Sequence, residues 1–216
     1  MPFKLARVSY NDNNYSVPSG NYGKCSMNWI GGEYYEWLHR FGWEEWNKNE
    51  LRVVDNYQYG FLQAINNDDN LRGEVHQHVV LFTKFCNPDN GILTDYIVGF
   101  IGNLEALSYA ESTIIRQQLE QNGMFNQMQN NVFHVDGNVH QFNNDFNRCI
   151  NMRFQNNNNN SGYYWGRVPR EILCFDAAQL NQSFGTIHNI DENSRLDDHL
   201  RNKITQIVNW IKNNPG

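Results

Sequence analysis

The spacing of apolar residues predicts several β-strands. Apolar side chains recur at alternate positions over residues 57–65 and 74–83, and a further apolar run covers residues 95–103. Such alternation turns one face of a strand towards a core and the other towards solvent. A weaker alternation over residues 3–10 predicts an opening strand, and the pattern over residues 147–154 predicts a later one.

The pattern changes to a helical period in three places. Residues 109–121 place their apolar side chains on one helix face, and Ser108 with Glu111 forms the S-x-x-E capping box that precedes many helices. A shorter helix is predicted over residues 33–40. Residues 191–216 carry apolar side chains at helical spacing and predict a C-terminal amphipathic helix.

Runs of strands interrupted by few helices favour an α+β fold over repeated β-α-β units. We therefore expect a curled mixed β-sheet or a small β-barrel with flanking helices. We expect residues 1–190 to form one domain, with the helix at 191–216 either packed on that domain or leading to an effector domain. A run of five asparagines at residues 156–160 predicts an exposed loop.

Composition and charge exclude several classes of protein. The 216-residue chain contains 14% aromatic residues and carries a formal net charge of −6. It lacks an apolar stretch of about 18 residues, and no apolar signal segment follows its first residues, so we expect a cytoplasmic protein with no membrane span. We expect its four widely spaced cysteines to be free thiols.

Motifs for phosphate binding and catalysis are weak or missing. No G-x-x-x-x-G-K-[ST] segment is present. Glu74, His76 and His78 share one face of a predicted strand, yet no further ligand stands at metal-site spacing, so we expect no metal and no cofactor. An alternative is a metal-dependent restriction endonuclease that uses acids such as Asp55, Glu74 or Asp95 with a histidine.

A dense group of aromatic residues between positions 37 and 61 carries the clearest chemistry. Acids and amides are interleaved with the rings. Rings stack on a planar nucleobase, and acid or amide side chains hydrogen-bond to its edge, so this pattern predicts a base pocket. The alternative is that the rings form the core of a protein-interaction domain. The candidate pocket residues are Trp43, Glu45, Trp46, Tyr59, Phe61, Gln63, Asn13, Tyr15 and Ser19.

Six short blocks together resemble a known family. They are residues 7–10, 17–20, 41–46, 59–63, 98–103 and 151–154. The blocks resemble the N-terminal specificity domains attached to HNH-type and related nucleases in modification-dependent restriction. Those domains look like members of the PUA superfamily, which includes the EVE, YTH and SRA modules. The resemblance implies a small curled β-barrel that flips a modified base into an aromatic pocket.

The resemblance also implies a role and partners. The chain would be a DNA-binding specificity module without catalytic residues of its own, within a phage-defence restriction system. Its partners would be double-stranded DNA carrying a modified base and an attached or separate nuclease. Because DNA is polyanionic and the chain has a net charge of −6, binding requires a local basic face. The candidate phosphate contacts are Lys24, Arg40, Arg153 and Arg167.

Overall fold

The computed structural model describes residues 3–24, 26, 34–155 and 187–190, together with residues 202, 206 and 209. Within these residues the fold is α+β, with one mixed β-sheet and flanking helices. The strands are β1 (Phe3–Arg7), β2 (Val53–Val54), β3 (Tyr57–Gly60), β4 (Val75–Cys86), β5 (Leu93–Ala106), β6 (Met152–Gln155) and β7 (Ile187–Ile190). The helices are α1 (Tyr34–His39), α2 (Gln63–Asn67), α3 (Tyr109–Gln121), α4 (Met124–His134) and α5 (Val139–Asp145).

The strand order in the sheet is β2-β3-β6-β5-β4-β1-β7. Strand β1 runs parallel to β4, whereas the other neighbouring pairs are antiparallel. Strands β2 and β7 form the two edges and do not pair with each other, so the described sheet is open. The small closed barrel that the sequence also allowed is therefore wrong.

The centre of the sheet is the long hairpin of β4 and β5, joined by a turn at residues 87–91. The register shifts between Leu81 and Phe82, which pair with Gly99 and Ile97, so Val98 is an extra residue on β5. A bulge of this kind bends the strand and increases its local twist.

The strand predicted over residues 57–65 is wrong beyond Gly60, where the chain turns into α2. Two asparagine side chains bond the backbone here, Asn47 at Phe61 and Asn151 at Leu62. Leu62 N donates to Asn151 Oδ1 at 2.9 Å, and Asn151 Nδ2 donates to Leu62 O at 2.8 Å. These two bonds satisfy the backbone groups that a longer strand would use for pairing.

The helix predicted over residues 109–121 is confirmed with the same bounds. The Ser108 hydroxyl accepts from Glu111 N at 3.3 Å, and Ser108 N donates to the Glu111 carboxylate at 3.0 Å, as in a capping box. Residues 130–140 lie in α4, in α5 and in the turn between them. The later strand begins at Met152 rather than at residue 147.

The core has two clusters. In the first, the aromatic residues between positions 41 and 61 pack against buried side chains of α3, α4 and α5. In the second, β1, β4, β5 and β6 pack with Leu62 and with Ile65 of α2. The site described next lies on segments that contribute to both clusters.

Several sequence predictions lie outside the described residues. These are the asparagine run at 156–160, Arg167 and most of the C-terminal helix, although Asn202, Gln206 and Asn209 are helical and exposed. None of the described helices combines the length and apolar character needed to cross a membrane.

Candidate functional site

Residues 8–24 form the longest described segment that contains neither helix nor strand, and we call them the anchored loop. Strand β1 ends at Arg7 instead of continuing to Tyr10 as predicted. Loops longer than about 12–15 residues without secondary structure are uncommon in compact domains and are commonly functional. The backbone of this loop includes two neighbouring positive φ angles, 55° at both Asn14 and Tyr15.

The anchored loop is held by the carboxylate of Glu45. Its Oε1 accepts from Asn11 Nδ2 at 2.8 Å, and from the amide and hydroxyl of Ser19 at 2.9 and 3.0 Å. Its Oε2 accepts from Lys24 Nζ at 2.8 Å and from Gly42 N at 2.7 Å. One buried side chain therefore binds the beginning, the middle and the end of the loop.

Hydrogen bonds within the loop fix its tip. Asn11 Oδ1 accepts from the backbone amides of Asn13 and Tyr15, both at 2.8 Å. Asn13 Nδ2 donates to Pro18 O at 2.9 Å, and the buried Tyr15 hydroxyl donates to Ser9 O at 2.9 Å. Asn13 is exposed, whereas Tyr15 is buried. Only the first of these two pocket candidates is therefore accessible to a ligand.

Glu44, beside the anchoring residue, is a second buried carboxyl group. Its oxygens accept from Ser9 Oγ at 3.0 Å and from Gln63 N at 3.2 Å. Burial, followed by the nearby carboxylate of Glu36, raises the pKa of Glu44 to about 8. Burial also raises the pKa of Glu36. At pH 7 the Glu44 carboxyl group is therefore mainly protonated, an arrangement found more often at functional sites than elsewhere.

The four aromatic pocket candidates belong to the core. Trp43, Trp46, Tyr59 and Phe61 are exposed by 5%, 0%, 3% and 1%. All four belong to the first core cluster, and Phe142 lies 5.3 Å from Trp43 and 6.3 Å from Trp46 between ring centroids. A base stacks only on an accessible ring face, so the prediction that these rings line a pocket needs correction. The alternative interpretation of the cluster as core agrees with their burial.

The polar pocket candidates occupy different environments. Glu45 is completely buried, and its five hydrogen bonds leave it no free position for the edge of a base. Gln63 is half-buried at the start of α2, where its Nε2 donates to Asn67 Oδ1 at 2.7 Å. Ser19 is half-buried and bound to Glu45. Glu45 therefore acts as a scaffold for the loop.

Each candidate phosphate-binding residue that the structure describes forms an ion pair with a carboxylate. The pairs are Lys24–Glu45 at 2.8 Å, Arg40–Asp136 at 3.5 Å and Arg153–Glu105 at 2.6 Å. The Lys24 side chain is completely shielded from solvent, so in this conformation it is not available to a phosphate. Arg40 and Arg153 are partly exposed and remain accessible to a phosphate.

The acids of the endonuclease alternative are far apart along the central hairpin. Glu74 O accepts from Ala106 N at 2.9 Å at one end of the hairpin. The backbone of Asp95 lies opposite that of Lys84 in the strand register, near the other end. The ten or so strand residues between these points correspond to about 30 Å. Asp55 lies in the turn between β2 and β3. Glu74 and Asp95 therefore do not form one centre.

His76, on the strand face that was considered for a metal, contacts a lysine instead. His76 is buried, and its Nδ1 lies 2.8 Å from Lys4 Nζ. Burial, followed by the charge of Lys4, lowers the pKa of His76, which keeps the ring neutral and able to accept from the ammonium group. Among the described residues, no group of three or more His, Cys, Asp or Glu side chains is placed to hold a metal ion.

An aromatic group that the sequence did not reveal joins the beginning and the end of the anchored loop to β4. We call Tyr10, Tyr22 and Phe85 the Tyr22 cluster. The ring centroid of Phe85 lies 4.9 Å from that of Tyr10 and 5.9 Å from that of Tyr22. Phe85 is more than 60 positions away along the chain, so only the packing of the loop on β4 brings the rings together. The sole local signal was Tyr22 itself, an aromatic residue in a turn-rich segment.

No model of a known protein family, no curated protein and no solved structure matches the chain. The similarity to restriction specificity domains therefore rests on the residue blocks alone.

Proposed function

We propose that the chain is a specificity module that binds DNA carrying a modified base and directs an attached or separate nuclease in a modification-dependent restriction system. A PUA-like or EVE-like origin of the fold is part of this proposal. The observation that carries it is the convergence of the blocks that resemble the restriction family. Residues far apart in the sequence meet around one pair of adjacent carboxyl groups, Glu44 and Glu45.

The contacts of these two residues join four of the six blocks. Glu44 accepts from Ser9 in the first block and from Gln63 in the fourth. Glu45 accepts from Ser19 in the second block, and both glutamates belong to the third. The Asn151 side chain then joins the sixth block to Leu62 in the fourth. Five of the six blocks thus form one structural unit, which supports treating these five as a single motif.

This unit serves to hold the anchored loop in one conformation. The tip of the loop exposes Asn13 and Asn14. Amide side chains donate to and accept from base edges, and a loop fixed before binding pays less of the entropic cost of ordering. We therefore place base-edge recognition at the loop tip rather than among the buried tryptophans.

The charge distribution limits the contribution of phosphate contacts. The net charge is −6, and the described basic candidates are all paired with carboxylates. Affinity from phosphate contacts falls steeply with salt, with a slope that grows with the number of contacts. We expect few such contacts here, and hence a shallow dependence of affinity on salt.

A binding panel tests the proposal. Duplexes that contain one 5-methylcytosine, 5-hydroxymethylcytosine, N6-methyladenine or phosphorothioate are compared with the unmodified duplex at about 50 and about 200 mM salt. We expect one modification to bind at least about tenfold more tightly, a difference of about 1.4 kcal/mol. Equal affinity for all duplexes would overturn the proposal. Cleavage of a duplex in the presence of Mg²⁺ would contradict a module without its own catalysis.

A matched pair of variants locates the reading element. Asn14→Gly removes one exposed amide at the loop tip, and glycine accepts the φ of 55° at that position. Asn103→Gly removes another exposed asparagine with a φ of 53°, located on β5. We expect the first variant to reduce the preference for the modified duplex and the second to leave it unchanged.

A further inference from the structure

Tyr22 is an accessible ring within the Tyr22 cluster. Its side chain is 49% exposed, whereas Tyr10 is 7% exposed. The ring centroid of Tyr22 lies 6.3 Å from that of Tyr10 and 5.9 Å from that of Phe85. Tyr22 therefore rests on two other rings and keeps a large part of its surface open to solvent.

The backbone beside Tyr22 is tightly constrained. Gly23 has a φ of +71°, and a Cβ at that position would lie 2.4 Å from Tyr10 Cδ1 and 2.7 Å from Phe85 Cδ2. The Gly23 carbonyl accepts from Cys86 N at 2.8 Å, which fastens the loop to the end of β4. The next residue, Lys24, is bound to Glu45. The two residues that follow Tyr22 are thus fixed, Gly23 to the end of β4 and Lys24 to the carboxylate of Glu45.

We infer that Tyr22 provides a one-sided stacking platform for an unpaired nucleobase. The inference rests on the proposed function, since it assumes that the ligand is a nucleic acid. A half-exposed ring that contacts two other rings at tilted angles offers a base one stacking surface, with no second aromatic ring placed opposite it among the described residues. Extruding a paired base costs more than a single stacking contact returns. The occupant that fits this platform is therefore a base that is already unpaired, at a mismatch or in a single strand.

The test compares three forms of one oligonucleotide with the intact chain. The modified base is paired, placed opposite a mismatch, or presented in a single strand, and each form has an unmodified counterpart. We expect the wild-type chain to bind the two unpaired forms about tenfold more tightly than the paired form, an advantage in the range of one stacking contact. Tyr22→Ala should abolish this advantage, and Tyr22→Phe should retain it because the ring remains.

Two further variants keep the result interpretable. Tyr109→Ala removes another exposed tyrosine, whose ring is covered by the Arg72 guanidinium at 3.8 Å, and should bind like the wild type. Tyr22→Leu keeps an apolar side chain on Tyr10 and Phe85 without a stacking ring. It should melt near the wild-type temperature and still lose the advantage, even if Tyr22→Ala is destabilised.

The outcomes separate the two hypotheses. Equal wild-type affinity for paired and unpaired forms, or an unchanged advantage in Tyr22→Leu, would overturn the stacking role. A wild-type chain without preference for any modification would overturn the proposed function. In that case, loss of the advantage in Tyr22→Leu would still support Tyr22 as a stacking platform.

Discussion

The ammonium group of Lys24 lies 2.8 Å from a carboxylate oxygen of Glu45, and both side chains are completely shielded from solvent. The pair connects the end of the anchored loop to the short 3₁₀ turn Trp43–Trp46. A buried charge is costly unless its partner and hydrogen bonds compensate for lost hydration. The loop conformation therefore depends on this contact.

Removing the Glu45 charge should destabilise the fold more than removing the Lys24 charge. Glu45→Gln leaves a buried ammonium group without its carboxylate, for which we expect a loss of about 3–5 kcal/mol. Lys24→Met leaves a carboxylate that still accepts from Asn11, Ser19 and Gly42, so its loss should be smaller. Urea unfolding of the two variants measures the difference.

The double variant serves as the control for this prediction. Because Lys24→Met with Glu45→Gln leaves no buried charge of the pair, it should recover part of the stability lost in Glu45→Gln. Strictly additive losses would show that the two side chains do not interact in solution.

Stability should fall as the pH rises through the neutral range. The pKa of Glu44 rises from an ordinary 4.5 to about 8 in the folded chain, so the folded state keeps a proton that the unfolded state has released. The stabilisation that comes from this retained proton is complete below pH 4.5 and is lost as the pH approaches about 8. Over this range the free energy of unfolding falls by up to about 1.4 kcal/mol per pH unit. Glu36, whose pKa is also raised, acts in the same direction.

Thermal melting between pH 5 and pH 8 checks this prediction. Glu44→Gln should flatten the pH dependence, because its amide cannot ionise and still accepts from Gln63 N. Glu50→Gln, at an exposed position, should keep the wild-type profile. A wild-type melting temperature that rises with pH over this range would contradict the assignment.

Gly23→Ala should be markedly more destabilising than a glycine substitution elsewhere with a similar φ. The new Cβ would lie 2.4 Å from the Tyr10 ring, in addition to the strain of a φ of +71°. Gly91→Ala has a φ of +69° and meets no atom within 4 Å, so it isolates the backbone cost, about 1–2 kcal/mol. Denaturant unfolding measures the two losses, and equal losses would rule out the contact with Tyr10.

Trp43→Ala should act on folding rather than directly on binding. The side chain is packed against Trp46, Phe41 and Phe142, and truncating a buried tryptophan costs about 3–5 kcal/mol. Denaturant unfolding checks the loss. If the variant kept full stability and lost only its binding of modified DNA, the ring would be a pocket wall and not core.

Local patterns predicted the elements whose causes are local. Helix α3 follows from its apolar face and from the Ser108–Glu111 capping box, in which all interacting residues lie within one turn. The central hairpin follows from two apolar strands and the turn-forming residues between them. The end of β3 could not be predicted in this way, because the side chains that bond the backbone beyond Gly60 are Asn47 and Asn151, which lie 14 and 89 positions away.

The sequence by itself determined the α+β class, the strands of the central hairpin and the residue types from which a site is built, because periodicity and capping act over a few neighbours. Tertiary structure alone decided the use of those residues. It placed Trp43 and Trp46 in the core, made Glu45 a scaffold for the anchored loop, and left Tyr22 accessible on Phe85. The physical reason is that burial and long-range hydrogen bonds depend on which distant segments pack together.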